Sequence, residues 1–231
     1  MSAKYKLQIL LPVHNEADNL EETVKEIYEE IIDKIDNSQI LITEDGSTDN
    51  TVSVLKELKN KYPLDFISGK ERKKYAKAVF DGIKYSDSDY ILFLDGDGQC
   101  DPKDFWNFWS LKDKYDLTIG YRNPRKDHLH RIIVSRLFYI LYKIKIKTSL
   151  KDPSCPYLLW NKDVTKFISN KNFTMIDGFW WEFNALISKS DFKYYQLPIN
   201  HRVREYGIAK TLILSKLPSV GLHHLLKLFK L

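Results

Sequence analysis

At 231 residues the chain is long enough to bury a full core, and one domain with a tail is the simplest organisation. Its 43% hydrophobic and 29% charged residues exclude wholesale disorder, and it has no uninterrupted apolar run long enough to span a bilayer. The net charge is +5, and the two cysteines, Cys100 and Cys155, offer no disulfide framework or zinc site, which fits a reducing compartment.

The first apolar run, Leu7–Val13, is nearly continuous, as expected of a strand covered on both faces. Its apolar stretch is short and leads into Asn15 and Glu16, so it is not read as a secretory signal, and the protein is expected in the cytoplasm. Asp18–Ile35 then places Leu20, Val24, Ile27, Ile31 and Ile35 at helical spacing. Ile40–Thr43 predicts a second strand, ending at Glu44-Asp45-Gly46-Ser47, and Asp49 can cap a helix bearing Val52, Leu55 and Leu58. Leu64–Ile67 predicts a third strand, Ala76–Tyr85 a helix, and Tyr90–Leu94 a fourth strand running into Asp95. Pro102 suits the first turn of a helix reaching about Tyr115, and Leu117–Tyr121 supplies a fifth strand. The order predicts an α/β fold, a mostly parallel central sheet flanked by helices.

After Arg122 a polar loop precedes Arg131–Lys147, which reads as a basic amphipathic helix. Ser154–Trp160 and Lys193–Val203 read as added strands, with a helix around Phe179–Ser188 between them. Two apolar, lysine-bearing segments broken at Pro218 close the chain as C-terminal amphipathic helices. From Gly120 to Leu150 there are eight Arg and Lys against one acid, and from His201 to Leu231 six against one. Both segments interleave their cations with apolar side chains, which points to an anionic membrane surface or a phosphate-bearing partner.

Three strands end in polar clusters: Pro12-Val13-His14-Asn15-Glu16, Glu44-Asp45-Gly46-Ser47 and Asp95-Gly96-Asp97-Gly98-Gln99. In open α/β sheets, ligands collect at this edge. Asp95 and Asp97, at i and i+2 just past a strand, can point to one side of a glycine-bearing loop, and Gln99 can add a carbonyl oxygen. Such oxygen ligands suit Mg²⁺ or Mn²⁺, which would neutralise a substrate diphosphate and stabilise it as a leaving group.

The succession P-V-H-N-E, E-D-G-S-T-D-N-T and L-D-G-D-G-Q resembles the family 2 glycosyltransferases of GT-A fold. Further on, Gly120-Tyr121-Arg122, the pair Arg131 and Ser135, Asp152-Pro153-Ser154 and the stretch from His201 to Lys210 resemble one branch of them. That branch includes dolichyl-phosphate mannosyltransferases and bacterial polyprenyl-phosphate glycosyltransferases. The resemblance covers nearly all of Leu7–Lys210. It implies a domain over 1–210, with a nucleotide-sugar-binding half at 1–121, an acceptor-binding half at 122–210, and a basic amphipathic tail at 211–231.

By position, the resemblance implies that the Pro12 backbone and Glu16 line the nucleotide pocket and that Asp45 accepts a hydrogen bond from the base. It gives Asp95, Asp97 and Gln99 to the metal, and Arg122, Arg131, Ser135 and Arg204 to a lipid phosphate. Two departures stand out: Glu44 replaces the first aspartate of the usual D-D-G-S, and Tyr75 stands about where many relatives carry a glycine. The implied activity is inverting, metal-dependent transfer from a UDP- or GDP-linked sugar to a polyprenyl phosphate. The setting would be the cytoplasmic face of a membrane, with peripheral binding to an anionic surface and no nucleic-acid partner.

An acceptor phosphate is already an anion and needs no protein base, whereas a saccharide or lipid-linked oligosaccharide hydroxyl would need one, for which Glu182 and Asp177 are the candidates. Glu182 also reads as a structural carboxylate beside a tryptophan sugar platform. A sugar-1-phosphate nucleotidyltransferase would show a glycine-rich loop after the first strand, and Pro12–Glu16 contains no glycine. A non-catalytic basic module binding membrane or nucleic acid accounts for the charge but not for Asp95, Asp97 and Gln99. His201 and Cys100 are expected to be structural, the latter a packing residue.

Overall fold

A computed structural model describes residues 3–69, 71–123, 129–175, 178–202 and 226–229, with backbone alone at 129–131 and 134. Its centre is β1 (Tyr5–Val13), flanked by β2 (Ser38–Glu44) and β4 (Ser88–Phe93), with β3 (Leu64–Ser68) outside β2. All four run parallel. The sheet continues through β6 (Leu158–Asn161), β5 (Leu117–Arg122) and β7 (Tyr194–Ile199), giving the order β3-β2-β1-β4-β6-β5-β7. β6 alone is reversed, antiparallel to both β4 and β5, while β5 and β7 are parallel. The expected mostly parallel sheet is therefore present.

The unbroken apolar run in β1 has a direct cause, because both of its faces are buried. Leu7, Ile9, Leu11 and Val13 pack into one cluster with Leu20, Val24 and Ile27 of α1 (Leu20–Glu30) and Leu55 and Leu58 of α2 (Thr51–Lys61). Leu10 faces the opposite cluster, with Val79 and Ile83 of α3 (Tyr75–Tyr85), Val164 and Ile168 of α6 (Lys162–Ser169), and Phe179, Trp180 and Phe183 of α7 (Phe179–Ser188). A third cluster joins α5 (Leu129–Ile146) to α7 through Tyr142, Ile146, Trp181, Ala185 and Leu228.

The elements depart from sequence expectation in four places. Helix α1 ends at Glu30 and yields to a 3-10 turn, Ile32–Lys34. The helix expected from Pro102 to Tyr115 is a 3-10 turn at Pro102–Asp104 followed by α4 (Phe105–Trp109). Beyond Trp109 the stretch S-L-K-D-K has one apolar residue to hold a helix against the core, and the chain continues in turns. β6 starts at Leu158, not Ser154, because Pro153 and Pro156 lack ladder donors and Cys155 N closes a turn on Asp152 O at 3.0 Å. Helix α6 went unread; the Asn161 side chain caps it, accepting from Asp163 N and Val164 N at 3.1 Å. Of the expected C-terminal helices, 226–229 alone is described; 203–225 lies outside the described residues. Among the described residues no helix is long and apolar enough to cross a membrane.

Candidate active site

β2 and β4 lie on opposite sides of β1, so the strand order reverses there, the place where open α/β sheets bind ligands at the carboxyl ends of their strands. The three polar clusters meet at this edge. The first two are one hydrogen-bonded unit. Asn15, in the left-handed region (φ 54°), donates its backbone N–H to Ser47 Oγ at 2.9 Å, and its Oδ1 accepts from Thr48 N at 2.7 Å. Glu16 N donates to Thr51 Oγ1 at 3.0 Å. Asp49 accepts from Thr51 N at 3.0 Å and from Ala17 N at 3.4 Å, so it ties the two loops together at the start of α2, whose cap position is Asn50, with no side-chain capping bond, and not the expected Asp49.

Glu44 in place of aspartate has a structural explanation. Its longer carboxylate accepts from Ser47 N on its own loop and from Ser68 Oγ at 2.6 Å at the end of β3. Asp45 is buried, with Oδ1 accepting from Lys73 N at 2.6 Å and Oδ2 lying 3.9 Å from Arg72 Nε. The segment 71–73 therefore covers it. A Cβ at Gly46 (φ 64°) would stand 2.7 Å from Arg72 N, so that close crossing requires glycine. Lys74 then turns the chain into α3 at φ 73° and ψ 158°, a region that L side chains rarely occupy.

The Asp95–Gln99 loop lies directly on the end of β1: a Cβ at Gly96 would stand 2.9 Å from the Pro12 carbonyl oxygen. This brings Asp95 and Asp97 beside Pro12. Asp97 Oδ1 accepts from Gln99 N at 3.2 Å. Asp95 Oδ1 accepts from the Tyr75 hydroxyl at 2.6 Å, and that hydroxyl accepts from Trp180 Nε1 at 2.8 Å. Burial, reinforced by the negative charge of Asp95, holds the Tyr75 phenol well above its usual pKa, so it remains a donor. Burial likewise pushes the Cys100 thiol up, which leaves it the packing residue expected.

The Gln99 amide nitrogen donates to Arg202 O at 3.2 Å, and Arg202 N donates back to Gln99 O at 2.9 Å. Cys100 and His201 form a β-bridge beside them, with His201 buried. Arg202 anchors the junction by a fork to Glu26, both contacts at 2.7 Å, and by Asp101 at 2.8 Å. These acids hold its guanidinium above its ordinary pKa, with the Glu26 hydrogen bond the largest cause. The chain leaving β7 is thus clamped to the acidic loop. Arg204, two residues on, lies outside the described residues, as does Asp177.

On the far half of the sheet, Arg122 closes β5. Its Nε donates to Asp152 Oδ2 at 2.7 Å, and its Nη2 donates to Asp152 Oδ1 at 2.9 Å and Ser154 Oγ at 2.7 Å. The side chains of Arg122 and Asp152 are 7% and 12% exposed. They form one wall of a cavity of about 290 Å³ that Ser135, Arg136, Lys151 and Trp181 also line. The structure thus joins Arg122, Ser135, Asp152 and Ser154, read separately in the sequence; of Arg131 it gives the backbone in α5 alone. Arg136 and Lys151 were missed, although each adjoins a residue already singled out, Ser135 and Asp152.

The packing of α7 bears on Glu182 and on its two tryptophans. Glu182 is 3% exposed, and its carboxylate accepts from Thr174 N at 2.8 Å, Met175 N at 2.6 Å and Thr174 Oγ1 at 3.4 Å. These contacts fasten a loop, the structural role that the sequence also allowed. Trp180 and Trp181 are buried, stacked edge-on against Phe93 and Tyr142, so neither is an open sugar platform. On α5 the apolar side chains divide. Tyr142 and Ile146 are buried, while Ile133, Leu137, Ile140, Leu141 and Ile144 are 44–70% exposed, with Lys143, Lys145 and Lys147 exposed near them. Ile132 turns to the cavity.

An α/β sheet with paired carboxylates at its switch point and a cavity lined by Arg122, Arg136 and Lys151 beyond is an arrangement in which a ligand site is expected. Residues 8–193 match the family described as glycosyl transferase family 2, and the chain belongs to that family. It is 25% identical over 219 residues to a dolichol-phosphate mannosyltransferase of Pyrococcus furiosus, covering 89% of this chain and 59% of the relative. It is 23% identical over 209 residues to the undecaprenyl-phosphate 4-deoxy-4-formamido-L-arabinose transferase of Edwardsiella ictaluri, covering 88% and 62%. The chain therefore spans about 60% of the length of these relatives.

Among solved structures it resembles a mannosyltransferase from Pyrobaculum calidifontis in complex with GDP-Man and Mn²⁺, at TM-score 0.63 and 15% identity, covering 90% and 59% of the two chains. It also resembles the glucosyl-3-phosphoglycerate synthase of Mycobacterium tuberculosis, at TM-score 0.66 and 15% identity, covering 98% and 79%. The fold is the GT-A fold that the sequence motifs imply.

Proposed function

We propose that the chain transfers a sugar, with inversion and metal dependence, from a UDP- or GDP-linked donor to a polyprenyl phosphate at the cytoplasmic face of a membrane. One observation carries this reading. Helix α5 contributes Ser135 and Arg136 to a cationic cavity and carries, on its outer side, the exposed stripe from Ile133 to Ile144. A cation-lined cavity beside an apolar helix face fits an amphiphile with a phosphate head and a hydrocarbon tail. Relatives named for dolichol-phosphate and undecaprenyl-phosphate transfer support the same class of acceptor.

The donor would lie at the carboxyl ends of the strands beside β1, with Pro12, Glu16 and Asp45 toward the nucleotide. Asp95 and Asp97, with the Gln99 carbonyl, are the residues to hold Mg²⁺ or Mn²⁺. Two carboxylates fit such an ion, which takes its remaining ligands from water and substrate phosphates. When bound, it would supply positive charge to the leaving diphosphate. Arg122, oriented by Asp152, would join Ser135, Arg136, Lys151, Arg131 and Arg204 in holding the acceptor phosphate toward the anomeric carbon. One phosphate oxygen forms the new bond to that carbon as the bond to the diphosphate breaks. The nucleophile is already anionic, so no side chain need take its proton. The burial and bonding of Glu182 favour this route over a hydroxyl acceptor with Glu182 as base.

The test is incubation of the purified chain with a nucleotide-sugar panel, Mn²⁺ and a short polyprenyl phosphate, followed by mass spectrometry of the lipid. A glycosylated polyprenyl phosphate is the expected product. Transfer to saccharides with none to the lipid would overturn the proposal.

A further inference from the structure

Tyr75 belongs to α3 and the donor half, Asp95 to the loop after β4, and Trp180 to α7 of the acceptor half. The three are joined in a directed chain: Trp180 Nε1 donates to Tyr75 Oη at 2.8 Å, and Tyr75 Oη donates to Asp95 Oδ1 at 2.6 Å. The direction is fixed by chemistry. An indole N–H can only donate, so it takes a lone pair of the phenol oxygen, and the phenol proton is left for the carboxylate. Trp180 is itself buried, 5% exposed and packed edge-on against Phe93 and Phe179, with ring centroids 4.4 Å and 5.0 Å away. The next residue, Trp181, lines the cationic cavity.

We propose that Tyr75 is a positioning residue for Asp95: its hydroxyl, aimed by Trp180, sets the rotation of the carboxylate that the donor's metal and diphosphate require. The inference rests on reading Asp95 and Asp97 as the metal-holding pair. It links the acid loop to the helix that walls the acceptor cavity. Partners that orient a ligating carboxylate commonly govern metal affinity as strongly as they govern activity.

The experiment follows binding of fluorescent UDP and GDP analogues to the full chain as Mn²⁺ is raised, and reads the Mn²⁺ concentration at half-maximal binding. D97N is expected to abolish Mn²⁺-dependent binding. Y75F, which removes one oxygen, is expected to raise the half-maximal Mn²⁺ by about 10- to 100-fold. W180F should raise it less, and the double variant Y75F/W180F should match Y75F alone, because Trp180 acts through the hydroxyl that Y75F lacks. Packing roles would instead give additive losses in melting temperature with unchanged Mn²⁺ dependence. Wild-type Mn²⁺ dependence in Y75F, with D97N inactive in binding, overturns the role of Tyr75 and leaves the metal site standing. Wild-type behaviour in D97N, or nucleotide binding indifferent to Mn²⁺ in the wild type, removes the metal site and this inference with it.

Discussion

The pairing of Arg122 with Asp152 explains how an arginine can be presented to an anion without wandering. Two parallel hydrogen bonds hold the guanidinium flat, and Ser154 takes a further contact. Asp152→Ala should therefore cost about 3–5 kcal/mol in chemical denaturation, since it strands a largely buried cation. Transfer to a lipid acceptor should fall more than donor hydrolysis. Glu182→Gln separates structure from chemistry. Thr174 N and Met175 N share one oxygen, Oε2, so the amide can keep its carbonyl oxygen on both and turn its N–H₂ to Thr174 Oγ1, and stability should drop by no more than about 1 kcal/mol. Activity per folded molecule should survive; total loss of transfer in a folded variant would restore Glu182 as a base. Arg122, Asp152 and Ser154 were legible as sequence motifs, but their mutual bonding was not, because residues 30 apart carry no sign of being neighbours. The Tyr75–Trp180 contact spans 105 positions and was invisible for the same reason.

At the scale of elements, periodicity sufficed wherever one face alone decided the outcome. Helices α2, α3 and α7 and strands β1 to β5 fall close to their expected positions. It failed for α6, an eight-residue helix whose signal is a cap and two buried residues, Val164 and Ile168. It also could not show that β6 would insert between β4 and β5, since strand order is settled by packing. The Asp49 contacts just before α2 make a measurable claim. Burial raises the Asp49 carboxyl, but hydrogen bonds from the Thr51 hydroxyl, Thr51 N–H and Ala17 N–H outweigh it and leave the group below its ordinary range. A folded-state pKa below the unfolded one gives stability that is complete above about pH 4 and is lost as pH falls through the folded value. Asp49→Ala should cost about 1 kcal/mol at neutral pH through its lost hydrogen bonds, and its stability should decline less steeply from pH 5 downward than the wild type's. Equal slopes in urea titrations would contradict the assignment. On α5, Leu137→Asp with Ile144→Asp should weaken binding to anionic liposomes while leaving the melting temperature nearly unchanged, because both side chains face outward.

For the molecule as a whole, the sheet divides the work. Its parallel half presents Asp45, Asp95 and Asp97 at one edge, and the half containing the reversed β6 presents Arg122 and the cavity. The membrane reading adds a face, the α5 stripe with its lysines, whose attraction should be about 1 kcal/mol per basic residue near the surface and should weaken with salt. The central claim is that the nucleophile is a phosphate on a lipid, and a pair of acceptors differing in that group alone tests it. Purified chain, Mn²⁺ and its preferred nucleotide-sugar would be given either a short polyprenyl phosphate or the matching polyprenol, and glycolipid would be counted by mass spectrometry. The account predicts product from the phosphate and none from the alcohol; equal glycosylation of polyprenol would contradict it.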